Sequence, residues 1–600
     1  MAITAVTAPL FFSLVVAGIL EKIPTLLGSA LRSTGNYICL PMLNPIWLFR
    51  DRRPGQLDWQ WQLGLGLLAM PLMWVNLGQV ALRDWDEGVV ALIAREMARS
   101  PIGSMTWLYP TTADGTPYLN KPPLIHWLVA LCFQLGGSNE WMARLPGATL
   151  TILSVPLLYM IGRELFNQRL PAIFAALTYL TLLPIVRHGR MAMLDGALVC
   201  FFLLFVLCIL RSRRNLRWSL GVGVALALIA MTKGVAALLL GAIAVVFLAW
   251  DTPRLLTSSY AWLGVGLGCL PAIAWYLAQW HHYGQTFFAE NFVNQSLSRA
   301  WRTVEQNQGP LWYYLLEILK YAAPWLIFLP QAVSLAWENR NLSWARLLLI
   351  WAGGYLAVVS LMQTKLPWYI LPIYPALALM VGRQLAEGWR SEVWLGGGKH
   401  SNHTPYPLIW AILLGIAAIA SIAYGIYLSL TSSDPATDLL VILLAVGMTL
   451  ISAAILIGRQ NSEFVLILFW GCYVALFLLM RSPHWLWEVN ESYPVKPVAQ
   501  IIAQHVPAQQ VVWTSHRFHR PSLNFYSDRR VLPANIEALK TIWQQDPSSY
   551  LLVDPATLRL LNLEQTRQLA EAEGWLLVSH TPTHQPDIRN LNSLPEATSE

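Results

Sequence analysis

Residues 61–97 read WQLGLGLLAMPLMWVNLGQVALRDWDEGVVALIAREM. The apolar run over 61–81 is long enough for a helix to cross a bilayer core, which takes about 20 residues. Three acids, Asp84, Asp86 and Glu87, follow at once. Beyond them, apolar side chains recur at helical spacing as far as Arg99, the pattern of an amphipathic helix. One role for these acids is local: Asp84 or Asp86 caps that helix and Glu87 complements its dipole. The other is chemical: a carboxylate held at the membrane surface, beside a bilayer-facing groove, acts as a general base. Both hold at once if different residues take the two roles.

Working outward, similar runs recur near 145–162, 170–186, 194–210, 218–232, 235–250, 258–280, 311–335, 343–362, 367–387, 407–428, 438–458 and 463–480. Together they predict an α-helical polytopic membrane protein of about thirteen spans. Of 600 residues, 56% are hydrophobic and 12% charged, against about 25% charged in an ordinary soluble domain. That excludes a chain made only of soluble domains. The 29 Trp and 12% aromatics exclude a disordered chain, and unbroken runs argue against a β-barrel. The net charge of +7 sits in short segments between runs, so it reads as membrane topology and no nucleic-acid partner is expected.

If the segment with Arg50, Arg52 and Arg53 is cytoplasmic, alternation puts Arg163/Arg169, Arg211/Arg213/Arg214/Arg217, Arg254, Arg340/Arg346, Arg383/Arg390/Lys399 and Arg459 on the same side. This requires that 122–135, short and opened by two prolines, is a re-entrant or interfacial helix. The opposite face then receives 82–144, 187–193, 281–310, 363–366, 429–437 and everything after 481. Residues 5–20 are apolar without the basic flank of a signal peptide. The expected domains are 1–60, an extension with an extra membrane helix; 61–483, the membrane domain with its outer loop 82–144; and 484–600, a small extramembrane α/β domain. In the last, VVWTS (511–515), LNFYS (523–527) and YLLVD (550–554) read as strands, with helices near 495–506, 534–546 and 556–573. Six Cys show no metal-ligand spacing. His516/His519 and His580/His584 read as surface residues.

Further polar residues fall on the same outer face. Lys121 precedes Pro122-Pro123, which hold its backbone extended. Arg187 and Arg190 close one span and Asp195 opens the next. An acid there is costly against lipid, so it faces a water-filled cavity or pairs with the nearby arginines. Lys233 stands in the shortest outer turn, TKG (232–234). Glu290 and Arg299 ride the amphipathic stretch FFAENFVNQSLSRAW (287–301). In TKLPWYILPIYPAL (364–377) three prolines free backbone carbonyls that a solvated cavity near Lys365 and Tyr369 would satisfy. Acids among fixed cations suit an anionic lipid headgroup. A hydroxyl attacks its reactive carbon, the acid takes the proton, and the cations stabilise the departing phosphate. No nucleotide-binding motif is present, so an activated sugar has to arrive already lipid-linked.

The order of these pieces resembles the GT-C membrane glycosyltransferases of the lipid A aminoarabinose transferase (ArnT) and protein O-mannosyltransferase type. The carrying residues are Asp86-Glu87, Val90-Ala91, Ala94-Arg95-Glu96-Met97, Asn120-Lys121-Pro122-Pro123, Glu140-Trp141 with Ala143–Pro146, Arg190 with Asp195, and Thr232-Lys233-Gly234. Gly309-Pro310, Trp312–Tyr314, Pro324-Trp325, Lys365 with Tyr369, and Phe525-Tyr526 follow in family order. The resemblance implies a GT-C fold and a sugar donor linked to polyprenyl (undecaprenyl) phosphate. It implies transfer to a hydroxyl of a lipid, glycan or protein, on the periplasmic side of a bacterial inner membrane; direct displacement with a single base inverts the anomeric centre, while a second carboxylate, Asp195, at nucleophile distance would allow retention. Carried over by position, Asp86 is the base, with Glu87 beside it and Asp195 as the second acid. Lys121, Lys365 and Arg190 meet phosphate, and Tyr369, Arg299 and Lys233 complete the substrate site. Asn120 stands where aminoarabinose transferases carry a Glu that helps hold a metal, and Asn294-Gln295 where relatives often have His. These departures count against a bound divalent metal and against lipid A as acceptor, and no cofactor is called for. Two other classes stay open: a transporter or flippase of lipid-linked glycans, disfavoured by the crowding of polar residues on one face, and a non-catalytic lipid-sugar binding protein.

Overall fold

Long apolar runs can satisfy their backbone in lipid only as helices, and helices dominate the chain. The computed structural model describes residues 54–112, 115–302, 307–394, 406–431, 437–487 and 494–581. The expected segment 5–20, Lys399 and His584 lie outside them. Every expected run contains helix, from Pro54–Trp74 to Phe464–Arg481. Among the described residues, seven helices are long and apolar enough to cross a membrane, or up to nine if each of two bent pairs is one span. The expected count of about thirteen is not reached on that measure. One reason is length: Trp218–Lys233 and Ala236–Asp251 have 16 residues each, about 24 Å against a hydrocarbon core of about 30 Å. The other is bending. Arg169–Leu180 meets Leu183–Arg190 at 58°, and Tyr313–Tyr321 meets Trp325–Glu338 at 115°; Pro184 and Pro324 lie at those breaks. The segment 122–135 is a single 13-residue helix, Leu124–Gly136, too short to cross.

Helix polarity sorts the charges. The helix Asp195–Ser212 has its acid at the N-terminus and Arg211 in its last turn, about 24 Å apart. At the Arg211 end, Arg211 and Arg214 reach Glu164 at 3.1 and 2.9 Å, and Arg213 reaches Asp251 at 3.2 Å. In the same region Asp58 holds Arg163 at 3.1 Å, Arg169 at 2.9 Å and the Tyr159 hydroxyl at 2.7 Å. The opposite end carries Asp195, Lys233 and the loop 82–144.

The tail forms one five-stranded sheet of β1 (Val511–Thr514), β2 (Arg530–Pro533), β3 (Tyr550–Val553), β4 (Thr566–Ala572) and β5 (Trp575–His580), in the order β2-β1-β3-β5-β4. β1 is parallel to β2 and β3, while β5 is antiparallel to β3 and β4. In β3, Leu552 enters one core with Val498, Ile502 and Val512, and Leu551 and Val553 enter the other with Leu539 and Trp543. That is the period of two expected of a strand covered on both faces. Two expected elements change identity. LNFYS belongs to a helix, Pro521–Ser527; Pro521 starts it, and Leu523, Asn524 and Phe525 are all buried, without the alternation of a strand. The helix expected over 556–573 stops at Leu561, where Asn562 turns left-handed at φ 43°. The rest is β4, closed onto β5 by Glu573-Gly574 at φ 51° and 77°.

Candidate functional site

The acids of the first outer loop go three ways. Asp84–Gly88 forms one wide turn, and the helix Val89–Ala98 that follows takes Gly88 as its N-cap with no side-chain cap bond, so the capping role expected of Asp84 or Asp86 is not realised. Asp84 is buried against the tail instead. It accepts from Arg520 Nη1 at 2.6 Å, from the Ser522 backbone N–H at 3.2 Å and from the Ser522 hydroxyl. A Cβ on Gly88 would stand 2.9 Å from the Ser522 nitrogen, so only glycine allows this approach. Glu87 is fully buried. Arg144 donates to it from Nε and Nη2, each at 2.7 Å, and the backbone N–H groups of Ala192 and Arg83 donate at 2.8 and 3.2 Å. Burial opposes its charge, but the Arg144 guanidinium and these donors hold its carboxyl below the usual range. Asp86, between them, stays half-buried at the loop surface.

A second group assembles from distant parts of the chain. The helices Asp195–Ser212 and Trp218–Lys233 run antiparallel, so the N-terminal acid of one meets the C-terminal cation of the other. Lys233 Nζ lies 2.7 Å from Asp195 Oδ1, and both charges also suit their helix dipoles. Lys233 sits 4.6 Å from the centre of the Tyr369 ring. The Tyr369 hydroxyl accepts from Arg299 at 3.0 Å, and Arg299 and Lys121 both donate to Gln295 Oε1, at 3.1 and 3.3 Å. Lys121 keeps some exposed surface, yet its ammonium is deep among protein atoms. Burial pushes it down to about 7, Arg299 and Lys233 add to the drop, and Asp195 and Asp86 oppose it. Asp86, Lys121, Asp195, Lys233, Arg299 and Tyr369 thus share one electrostatic neighbourhood.

Three predicted residues are engaged elsewhere. Glu87 faces Arg144. Arg190 is fully buried, donates to the carbonyls of Leu72 and Val75 at 2.6 Å each, and lies over the Trp485 ring at 4.7 Å. Lys365 donates to the carbonyls of Val359 and Ser360 at 3.2 and 2.5 Å, closing the end of the helix Tyr355–Leu361. The pairing expected between Asp195 and Arg187 or Arg190 gives way to Lys233, because Arg187 is spent on the Trp485 carbonyl at 3.2 Å and the Trp487 ring at 4.2 Å. Gln295, which bridges two cations, was not predicted; its spacing of four from Arg299 on one helical face is the signal that finds it. The donor set does not suit a divalent cation. Gln295 is a neutral amide, and Lys121, Arg299 and Lys233 bring positive charge to the same space.

Residues 120–277 match the family model described as dolichyl-phosphate-mannose-protein mannosyltransferase. A Pseudomonas fluorescens protein named undecaprenyl phosphate-alpha-4-amino-4-deoxy-L-arabinose arabinosyl transferase 1 is 30% identical over 338 residues, 55% of this chain and 60% of the relative. An Erwinia tasmaniensis protein with that activity in its name is 31% identical over 317 residues, 50% of this chain and 55% of the relative. The match therefore spans little more than half the length of these curated relatives. The crystal structure of ArnT from Cupriavidus metallidurans bound to undecaprenyl phosphate superposes with a TM-score of 0.69 at 19% identity, covering 86% of this chain and 98% of that one. The chain has the GT-C fold of ArnT, and the resemblance read from its motifs is borne out in sequence and in fold.

Proposed function

We propose that this chain is an integral-membrane glycosyltransferase that moves a sugar from a polyprenyl-phosphate donor to a hydroxyl of a lipid, glycan or protein acceptor. The observation that carries the reading is the convergence of Lys121, Arg299 and Lys233, from three separated segments, beside Asp195 and Asp86. Undecaprenyl phosphate stands in the relatives' names and is the lipid bound in the matching ArnT crystal structure. A phosphate group meets the need of three clustered cations, and a half-buried carboxylate at their edge meets the need of a base. Asp86 takes the proton of the acceptor hydroxyl as its oxygen attacks the anomeric carbon. The bond from that carbon to phosphate breaks, and polyprenyl phosphate leaves with the bonding pair. Direct displacement inverts the anomeric centre.

In this reading Lys121 and Arg299 bind the phosphate, Gln295 and Tyr369 aim them, and Asp195 fixes Lys233 beside them. Lys365 is a positioning residue, and Glu87 and Arg190 hold the loop and helix ends in place. The membrane is the bacterial inner membrane. The site and the tail face the periplasm, because the basic residues at the opposite helix ends follow the cytoplasmic pattern. The test is Asp86→Asn in purified protein given a polyprenyl-phosphate sugar. Turnover is expected to fall by a factor of about 10²–10⁴, the usual worth of a general base, with the thermal midpoint unchanged; turnover near the parent rate overturns the assignment.

A further inference from the structure

The turn that carries Asp86 is held on both sides by one stretch of the tail. Before Asp86, Asp84 accepts from Arg520 Nη1 at 2.6 Å and from the hydroxyl and backbone N–H of Ser522. Its neighbour Trp85 donates from Nε1 to the His519 carbonyl at 3.0 Å and meets the Phe518 ring edge-on. The Leu82 N–H donates to the Tyr526 hydroxyl at 2.8 Å. After Asp86, Gly88 packs on the Ser522 backbone. Arg83 and Glu87 alternate with these and turn to the Leu486 carbonyl and to Arg144. Wide turns of this kind are rare and occur singly, and ordering one costs backbone entropy that its contacts must offset. Here those contacts come from outside the turn. Arg520 is itself secured from behind. Its Nε donates to His516 Nδ1 at 3.2 Å, and the His516 ring lies on Trp575 of β5 with centroids 3.7 Å apart. His516, expected at the surface, is buried. Burial, then Arg520, push it down to about 3, so the ring stays neutral and Nδ1 accepts the bond.

We infer that the tail segment 516–526 positions the proposed base: Arg520, backed by His516, fixes Asp84, and through Asp84 sets where the Asp86 carboxylate stands. The inference rests on Asp86 as the base and deepens that reading. Displacing a reacting group by about 1 Å costs about 10² in rate, so loss of the clamp falls on kcat and spares donor binding. The full chain in lipid nanodiscs is assayed with undecaprenyl-phosphate aminoarabinose as donor and an envelope-lipid extract as acceptor, reading release of undecaprenyl phosphate. Hydrogen exchange is followed in peptides covering 82–90. Arg520→Ala is expected to speed exchange there about tenfold, to lower kcat by about 10² and to leave the donor KM within about twofold. Asp84→Asn weakens the same bond from the loop side, without touching the tail, and gives the same split. Arg99→Ala, which loosens the contact with Asp528 away from the turn, leaves kcat unchanged. In an Asp86→Asn background, Arg520→Ala lowers kcat no further. Unchanged exchange in 82–90, a rise in KM at constant kcat, or an Arg520→Ala effect that persists in full without the Asp86 carboxylate overturns the positioning role alone. Asp86→Asn turning over at the parent rate overturns the base reading and, with it, the role assigned to Arg520.

Discussion

Lys121 has its charge set by pH within the physiological range. Burial, then Arg299 and Lys233, bring its ammonium down to about 7. Below that value it is charged and attracts phosphate; above it the proton is lost and so is the attraction. The donor kcat/KM, which reports the free enzyme, is therefore expected to fall as pH rises through about 7. Lys121→Arg, which keeps its charge, flattens that limb. A pH-independent donor kcat/KM in the parent protein contradicts the role. The neighbouring acids separate by a different readout. Glu87→Ala strands the Arg144 guanidinium in the interior, at a cost of about 3–5 kcal/mol, and a large drop in thermal midpoint in detergent is expected. Asp86→Asn, at a half-buried position, is expected to leave that midpoint unmoved. Adjacent in sequence and alike in charge, the two read the same from residues alone. What separates them is Arg144, 57 positions further on.

At the scale of elements, the helix Val89–Ala98 joins the loop to the tail. Arg95 donates from Nη1 to the carbonyls of Phe525 and Asn524 at 2.7 and 3.3 Å, groups that the short helix Pro521–Ser527 leaves free at its end. Arg99 and Arg95 also meet Asp528. Charged hydrogen bonds of this kind are worth about 1.5–3 kcal/mol each, so Arg95→Ala is expected to speed release of a tail fragment in limited proteolysis. Equal digestion rates would show that the contact holds nothing. This docking also explains why LNFYS is not the strand its composition favours. Burial around the whole element and the demand for free carbonyls facing Arg95 are met by a helix. The strand within 556–573 has a local signal, Gly574, that the apolar spacing outweighed.

Across the whole molecule, one end collects acids bound to arginines around Asp58, Glu164 and Asp251, and the other collects the site. Orientation is tested in a cysteine-free background. Gln544→Cys in the tail is expected to react with a membrane-impermeant maleimide in intact cells, and Arg214→Cys only after lysis. The reverse pattern sinks the periplasmic assignment.

The chain's own spacing determines that it is a bundle of apolar helices with a polar tail, since a run of apolar residues carries its preferred solvent within itself. It also determines which end gathers the acids and lysines proposed to carry the chemistry, because they fall next to the runs that deliver them. Partnership is what only the tertiary structure decided. Asp195 meets Lys233 because two helices turn back on one another, Lys121 meets Arg299 through Gln295, and Asp84 leaves the site to hold the tail. Charge acts through space, and no local pattern records which distant residue will arrive within 3 Å of a given carboxylate.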